Sequence, residues 1–279
     1  MLYLLMAGVL FGFVHPGGKW ILETGIGLLP FCILFVATRL LLQVPVVIRH
    51  RKNLTRPTRA QWKYLIALGM VGALLRFTEF VGIVDGLAIS LIAFVVYLHP
   101  VWTIIFDRWL NSERITPIKV FKIGIAVVSI ALLLNVEFAA THNLWLLWGP
   151  IAAGMLVSLW ICLSNTAQKK GASVITVSFY YDLFSLIPLV GFAAFTMTPS
   201  QINHSWQWLL QLKHFGMIVG FSIVTGFVAN YIFYSGLKRS DSLIASLLML
   251  FEPVISSLIS VSVWHEPISK NFVWGALGS

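Results

Sequence analysis

The amino-acid sequence predicts an all-α integral membrane protein, a bundle of ten membrane-spanning helices built from two inverted repeats of five spans. The composition is 58% hydrophobic and 10% charged, whereas a soluble domain carries roughly 25% charged residues. The apolar runs are continuous and long enough for helices of about 20 residues, and they lack the alternation of a membrane β-barrel. One pattern occurs twice, a proline inside an apolar run with a glutamate thirteen residues further on: Pro100 with Glu113, and Pro253 with Glu266.

Nine apolar segments are long enough to cross a bilayer, and a tenth begins near the end of the chain. We place them near residues 2–22, 26–48, 62–83, 87–109, 118–138, 145–167, 174–196, 215–237 and 243–264, with a fragment from residue 271. The segment 197–214 contains Trp206 and Trp208, which are expected to anchor it in the membrane interface. A complete tenth span would extend to about residue 291, so we expect this last helix to be truncated at Ser279.

The repeat divides the chain into a first half, 1–140, and a second half, 144–279. A constant offset of 153 residues aligns the two proline–glutamate patterns and pairs His99 with Glu252, each directly before its proline. Because each half has an odd number of spans, the second half must be inverted relative to the first. Inverted repeats with broken helices are typical of secondary transporters, whose substrate site lies near the midplane between the halves.

Basic residues are concentrated in the loops on one side of the predicted bundle. Fourteen lie on that side and only Lys19, Lys213 and Lys270 on the other, which predicts a cytoplasmic N-terminus. The net charge of +9 therefore reflects membrane topology, and no nucleic-acid partner is expected. The two cysteines, Cys32 and Cys162, lie in apolar segments, so neither a disulfide framework, a metal site nor a cofactor is expected.

The informative residues are the polar ones inside the spans, because each charged side chain costs roughly 2.5–3.5 kcal/mol at a helix centre and should face a cavity or a partner. The candidate substrate-binding residues are His15, Arg39, Arg76, Glu79, His99, Trp160, Tyr181, Asp182, Asn230, Tyr234 and Glu252.

Each candidate also has a structural interpretation. Arg76 and Glu79 are three residues apart and can form a local ion pair. Arg39 and Asp182 can pair across the two halves. Glu252 and its counterpart His99 can form hydrogen bonds that hold a kink, and the aromatic candidates can serve packing alone. In the second half, Asn230 aligns with Arg76 at an offset of 154 residues.

The residues of the repeated pattern have structural or gating roles in this interpretation. Pro100 and Pro253 are expected to kink their helices and to free the backbone carbonyls of Val96 and Met249, because proline has no N–H to donate. Glu113 and Glu266 fall at helix ends, where we expect them to cap and brace the following span.

Three segments resemble the EamA-type ten-helix transporters of the drug/metabolite transporter superfamily. They are GFVHPGGK at 12–19, LMLFEPVISSLISVSVWHEPIS at 248–269, and the first-half copy ending in ERIT at 113–116. The resemblance covers essentially the whole chain. It implies an inner-membrane carrier with a cavity between helices 1–4 and 6–9, in a family that moves amino acids and other small polar metabolites, often outward. The sequence departs from the pattern at His99, in the incomplete last helix, and in lacking a buried first-span glutamate.

We therefore expect an alternating-access secondary transporter of small polar metabolites, most of all amino acids or related zwitterions, with efflux favoured. Protonation of Glu252, Glu79, Asp182 or His99 could couple transport to protons. The expected location is a bacterial inner membrane, with the bilayer, the substrate and protons as partners, in a monomer or weak homodimer.

Two other functions stay open. The chain could take up or exchange a nucleotide-like or cofactor-like metabolite, whose phosphate or carboxylate Arg39 and Arg76 would meet. A membrane-embedded enzyme acting on a lipid-linked substrate is the third alternative. It would need clustered acid/base or metal-binding residues at one interface, and the sequence has none, nor a P-loop, an HExxH helix or a GxSxG elbow. The sequence therefore favours a protein that is not an enzyme.

Overall fold

The computed structural model describes residues 1–50, 56–87, 89–134 and 144–264. Over these ranges the chain forms helices joined by turns, with no β-strand. The prediction of an all-α membrane protein is confirmed.

Seven helices in the first half account for the first five predicted spans. The first span is bent into two helices, and the fourth is broken into two. The helices are α1 (Leu2–Phe11), α2 (Val14–Leu22), α3 (Leu28–Arg49), α4 (Arg59–Val84), α5 (Ile89–Val96), α6 (His99–Asn111) and α7 (Pro117–Leu134).

The second half has a broken span, α13–α14, at the position that corresponds to α5–α6, and it has an additional helix on one surface. A 3₁₀ turn, Leu144–Leu147, leads into the first long helix, and a π-helical segment, Ser222–Val228, interrupts the third span. The helices are α8 (Trp148–Lys169), α9 (Val174–Thr196), α10 (Pro199–Leu210), α11 (Leu212–Phe221), α12 (Ala229–Leu237), α13 (Ser242–Leu248) and α14 (Phe251–Trp264).

The described helices agree with most of the predicted spans. Seven are long and apolar enough to cross a membrane by length and composition: Leu2–Leu22, Leu28–Arg49, Arg59–Val84, Trp145–Lys169, Val174–Thr196, Leu212–Leu237 and Ser242–Val263. The fourth predicted span is the pair α5–α6, and the fifth is described as α7. Residues 141–143 and the fragment that would begin the tenth span lie outside the described residues.

Helix termini follow local sequence signals. At the start of α4 the backbone N–H of Thr58 donates to the side chain of Gln61 at 2.8 Å, one half of a capping box. Helix α8 ends just before Gly171, whose φ of +91° is a conformation that glycine adopts without steric cost. Short side-chain caps and glycine turns therefore set where these spans begin and end.

The two predicted kinks are present. Helix α5 ends at Val96 and α13 at Leu248, and the next helices begin beside Pro100 and Pro253. The expectation of two free carbonyls is wrong for Met249, because the backbone N–H of Glu252 donates to its carbonyl at 2.9 Å. Proline breaks the helix as predicted, and a tight turn then restores a hydrogen bond at the second break.

Glycines allow the central spans to approach closely. A side chain at Gly69 in α4 would collide with backbone atoms of Phe184 in α9, and one at Gly149 in α8 would collide with Val81 in α4. Small residues at such contacts are typical of membrane helices, where packing rather than the hydrophobic effect holds the spans together. Helix α4 therefore packs against both α8 and α9 at the centre of the bundle.

Described residues from several loops rich in lysine and arginine lie on one side of the bundle, and we call this surface the basic face (residues 49–50, 56–59, 169–171 and 238–241). The side chain of Gln61 donates to the carbonyl of Lys170 at 2.6 Å. The Arg239 guanidinium lies 5.8 Å from the ring centre of Tyr3. Helix α1 therefore begins at the basic face and α8 ends there, so the first spans of the two halves run in opposite directions.

The opposite face carries α10, which packs over the turn between α2 and α3. Trp208 donates from Nε1 to the Thr24 hydroxyl at 2.8 Å, and His204 Nε2 lies 3.2 Å from the carbonyl oxygen of Gly25. Trp206 is 60% exposed, as expected of an interface anchor, but Trp208 is buried. The expectation that Trp208 anchors the membrane interface is therefore wrong, because its indole is used to hold α10 on the protein.

Contacts between the halves occur in matched pairs. Gly8 in α1 packs against Leu248 and Met249 at the ninth-span break, and Gly154 in α8 packs against Val95 and Val96 at the fourth-span break. These four residues at the breaks are related by the same offset of 153 residues. Each half thus contacts the broken span of the other half through a glycine in its own first span. This equivalence supports the proposal of two inverted repeats.

Candidate functional site

A buried ion pair joins the second and seventh spans. Arg39 in the middle of α3 pairs through Nη2 with Asp182 Oδ1 in α9, and both side chains are at most 1% exposed. Gln43, one helical turn after Arg39, donates to the other carboxylate oxygen, Asp182 Oδ2. The charges of Arg39 and Asp182 therefore neutralise each other. This is the pairing across the two halves that the sequence left open as a structural interpretation.

A second buried pair lies within one helix. Arg76 Nη1 and Glu79 Oε2 in α4 are 2.5 Å apart, at the three-residue spacing that puts both side chains on one face. The ring of Phe35 links the two pairs, with its centre 5.2 Å from the Arg39 guanidinium and 5.4 Å from that of Arg76. A cation near an aromatic face is stabilised without a counter-charge, so Phe35 helps to hold two arginines close together.

The fourth-span break is fixed by hydrogen bonds from the second half. His99 Nδ1 lies 2.9 Å from the Ser246 hydroxyl in α13. The carbonyl of His99 accepts from Ser158 in α8 at 2.6 Å. At the ninth-span break, the carbonyl of Glu252, the counterpart of His99, lies against Gly12 at the end of α1. Each broken span is therefore held by the first span of the other half.

Glu252 differs from Glu79 and Asp182, the two other buried acids near the centre. Its side chain is buried beside the Tyr97 hydroxyl, with which it interacts. No lysine or arginine of the described residues forms an ion pair with it, whereas Glu79 and Asp182 each have an arginine. An uncompensated carboxylate in a membrane interior is costly, so this position favours a proton or a cationic ligand.

A small cavity of 20 Å³ lies at the centre, and this volume is enough for about one water molecule. Helices of both halves surround it. Its lining residues are Phe11, Leu75, Arg76, Glu79, Val96, Tyr97, His99, Val157, Trp160, Met249 and Glu252. The conformation described is therefore closed around a polar centre.

Several buried polar atoms at this centre have no hydrogen-bond partner among the described residues. They include Arg76 Nε, His99 Nε2 and both ring nitrogens of His15. The His15 ring lies 6.1 Å from the Tyr97 ring and is 1% exposed. Because buried polar groups are normally paired, this concentration of unpaired donors and acceptors is what a binding site for a polar molecule provides.

Aromatic candidates form one wall of this centre. Trp160 donates from Nε1 to the Tyr234 hydroxyl at 2.8 Å, and its ring stacks on Phe233 at 4.4 Å. The Tyr181 ring centre lies 5.2 Å from the Arg39 guanidinium. These side chains pack and position one another, and Trp160 also lines the cavity.

The structure brings the predicted residues together in two groups, and we call them the central site and the α3–α9 pair. The central site contains His15, Arg76, Glu79, His99, Trp160 and Glu252, and the α3–α9 pair is Arg39 with Asp182. Tyr181 and Tyr234 lie between the groups. Asn230 is directed elsewhere, since its amide donates to the Gly226 carbonyl in the π-helical segment at 2.6 Å.

The predicted structural residues are only partly described. Glu113 is half-buried after α6 and lies 3.4 Å from Lys119 in α7, so it contacts the following span. Pro100 and Pro253 lie at the two breaks. Glu266 lies outside the described residues.

Sequence reasoning missed Gln43, Tyr97 and Ser246. Gln43 had a readable signal, because a glutamine one turn after a mid-span arginine lies on the same face. Tyr97 and Ser246 had none, because a tyrosine or serine in an apolar run is ordinary in membrane helices. In the described part of the chain no group of histidine, cysteine and acidic residues could hold a metal ion.

These features define a multi-pass helical membrane protein with a buried charged centre between two groups of spans. The model of the EamA-like transporter family matches the chain twice, over residues 1–135 and 143–279, and the chain belongs to this family. The family lies within the drug/metabolite transporter superfamily, so the resemblance read from the sequence is confirmed.

A solved crystal structure has a similar fold. It matches with a TM-score of 0.75 at 16% sequence identity, covering 99% of this chain and 92% of the other. At this identity the likeness shows the fold alone. No curated protein matches the chain.

Proposed function

We propose that this protein is an alternating-access secondary transporter of small zwitterionic metabolites, amino acids or close relatives, and that it is not an enzyme. The observation that carries the proposal is the central site, where an arginine and an uncompensated glutamate from different halves line one cavity. Membership of a transporter family supports the general activity, and the charges of the site support the substrate class.

The charges suggest how a zwitterion would be held. Arg76 keeps Nε unpaired while its Nη1 faces Glu79, so it can donate to a substrate carboxylate. Glu252 can accept from a substrate ammonium group. Because the ammonium group would meet a carboxylate that has no basic partner among the described residues, the substrate would compensate the cost of burying Glu252.

Movement must accompany binding, because the cavity holds about one water molecule and an amino acid is larger. The broken fourth and ninth spans line the cavity on two sides, and breaks in spanning helices are the usual sites of such movement. We propose that parting of these spans admits the substrate from one side of the membrane at a time.

Proton coupling at Glu252 is the second part of the proposal. A buried carboxylate with no basic partner among the described residues is neutral when protonated and available for an ammonium group when ionised. Proton and substrate would then compete for one carboxylate and cross in opposite directions. With the basic face in the cytoplasm, as fourteen positive charges against three favour, an inward proton gradient would drive efflux across a bacterial inner membrane.

We favour a zwitterion over the nucleotide-like alternative because of the acids beside the two arginines. Arg39 and Arg76, which would have met a phosphate, each lie against a carboxylate. A multiply charged anion would have to displace these acids, whereas a zwitterion needs only one additional donor and one acceptor.

Purified protein and liposomes test the proposal. A ligand that binds only the native state raises apparent stability, by about 2.7 kcal/mol at one hundred times its Kd, so thermal shift against amino acids and nucleotides identifies candidates. The stabilising compound is then followed as a radiolabel in counterflow. We expect saturable exchange of an amino acid or related zwitterion. Stabilisation by nucleotides alone would contradict the substrate class, and a stabilising ligand that is never exchanged would contradict transport.

A further inference from the structure

We propose that the Arg39–Asp182 ion pair lies on the pseudo-twofold axis between the two halves and is the pivot of the transport movement, a positioning element that does not contact substrate. This inference rests on the proposed function and on its inverted halves.

Arg39 and Asp182 occupy the same position in their repeats. An offset of 143 residues takes Arg39 to Asp182 and also takes Pro45 to Pro188. Both prolines lie inside their helices, Pro45 in α3 and Pro188 in α9. Each charged residue therefore lies six residues before the internal proline of the second span of its half.

A residue that touches its own counterpart must lie on the axis that relates them. Any other residue lies at a distance from the axis, and its counterpart lies equally far away on the opposite side. The two side chains are in direct contact and almost completely buried. Helices α3 and α9 also start at opposite faces, since α3 ends at the basic face and α9 begins there. This is the relation that an in-plane twofold axis requires.

Contacts on the twofold axis behave differently from all others during the cycle of an inverted-repeat transporter. When the two halves exchange conformations, a contact away from the axis is replaced by its counterpart on the other side of the membrane. A contact on the axis is its own counterpart, so it is the same in the inward-open and outward-open states. The Arg39–Asp182 pair can therefore persist while the contacts of Gly8 and Gly154 with the broken spans exchange.

The surroundings of the pair fit a fixed joint. The Arg39 guanidinium lies over the Phe35 and Tyr181 rings, at 5.2 Å from each centre. Gln43 completes the group by donating to Asp182. Gly226, in the π-helical segment, lies directly against the Arg39 side chain, where any larger residue would collide. Parts of both halves thus enclose one charged contact.

If the positions of Arg39 and Asp182 are equivalent, the protein should tolerate exchange of the two side chains. This exchange is therefore the decisive experiment. Gln43 has Leu186 as its counterpart at the same offset, so a complete exchange combines Arg39→Asp, Gln43→Leu, Asp182→Arg and Leu186→Gln. The comparison set is Arg39→Gln, Asp182→Asn and this fourfold variant. As a matched control, the double variant Arg76→Glu with Glu79→Arg exchanges a buried pair that has no such symmetry.

Three measurements follow for each protein: recovery as a monodisperse species with its melting temperature, ligand affinity by thermal shift, and turnover by counterflow. We expect each single substitution to lower turnover by about tenfold, the rate change that ~1.4 kcal/mol of barrier gives, because a damaged pivot slows the movement. Ligand affinity should be unchanged, because the pair does not contact substrate. The fourfold variant should recover most of the melting temperature and turnover. The exchange within α4 should recover neither turnover nor affinity.

The outcomes separate this inference from the proposed function. A fourfold variant no more stable and no more active than the singles overturns the axial position. Single variants that lose ligand affinity in proportion to turnover overturn the pivot and make the pair a substrate contact. If the wild-type protein exchanges no ligand, the proposed function fails, and the melting temperatures alone decide whether the two positions are equivalent. If neither single variant can be purified as a monodisperse protein, purification of the fourfold variant supports the inference. Failure to purify the fourfold variant as well overturns it.

Discussion

Ser158 in the first span of the second half donates a hydrogen bond of 2.6 Å to the carbonyl of His99, the residue directly before Pro100. The bond joins α8 to the break in the fourth span. The carbonyl of His99 also accepts from Thr103 at 2.9 Å. One half therefore holds the broken helix of the other through a backbone group at the break itself.

Replacing this serine tests how much the contact contributes. Ser158→Ala should lower the free energy of unfolding by about 1 kcal/mol, the usual net value of a buried hydrogen bond, because Thr103 still satisfies the carbonyl. The melting temperature in detergent measures the effect. Ser262→Ala is the matched control, since Ser262 makes a similar bond of 2.8 Å to Leu258 at an exposed position. Equal effects of the two substitutions would remove any special role for the contact.

Close packing of α4 on α9 predicts a second result. A methyl group at Gly69 would meet backbone atoms of Phe184, and backbone cannot move aside as a flexible side chain can. We expect Gly69→Ala to destabilise the protein by about 1–3 kcal/mol. Gly220→Ala is the control, because nothing lies within 4 Å of a side chain there, and alanine favours helix by up to about 1 kcal/mol. A Gly69→Ala protein as stable as the control would show that the two helices are less closely packed.

Substitution of Trp206 and Trp208 tests how α10 is held on the turn between α2 and α3. Trp208→Phe keeps an aromatic ring but loses the 2.8 Å hydrogen bond to Thr24, so stability should fall by about 1 kcal/mol. Trp206→Phe should have little effect, since Trp206 is exposed and forms no hydrogen bond in the described structure. Hydrogen exchange of 199–210 measures whether the helix has loosened. The reverse order of the two effects would contradict the packing described for α10.

Features with a local cause could be predicted from the sequence. Pro100 and Pro253 predicted both breaks because proline removes a backbone donor wherever it stands. The start of α10 has a local signal too, since Thr198, Pro199 and Gln201 form a standard helix start. The prediction of an interfacial segment at 197–214 does not use this signal.

Partners that are distant in the chain could not be predicted. The sequence left open whether Arg39 pairs with Asp182 or meets a substrate, because the choice depends on how α3 packs against α9. Tyr97 was missed beside Glu252 for the same reason, since its hydroxyl matters only when the ninth span lies next to it. Contacts between side chains on different spans can therefore be identified only from the three-dimensional structure. Helix breaks and helix ends can be predicted from the sequence.

Two buried acids are expected to respond differently to the same substitution. Glu79→Gln leaves the Arg76 charge without its carboxylate, and breaking a buried ion pair from one side costs about 3–5 kcal/mol. Glu252→Gln removes a charge that has no basic partner among the described residues, so stability should be unchanged or increased. Melting temperatures of the two variants, with Glu113→Gln at a half-buried helix end as control, measure the difference. Strong destabilisation by Glu252→Gln would mean that a partner holds this carboxylate ionised.

Proton coupling gives the last prediction. If proton and substrate compete for Glu252, liposomes with an acidic lumen should accumulate external substrate, because protons leave as substrate enters. Glu252→Gln should abolish this response to the pH gradient, since the amide takes up no proton. Counterflow at saturating substrate should remain measurable in the variant, because exchange of substrate for substrate needs no proton movement. If the Glu252→Gln protein still accumulates substrate in response to the pH gradient, the coupling proton binds to another group. His15 and His99 are then the next residues to replace, because both are buried at the same centre.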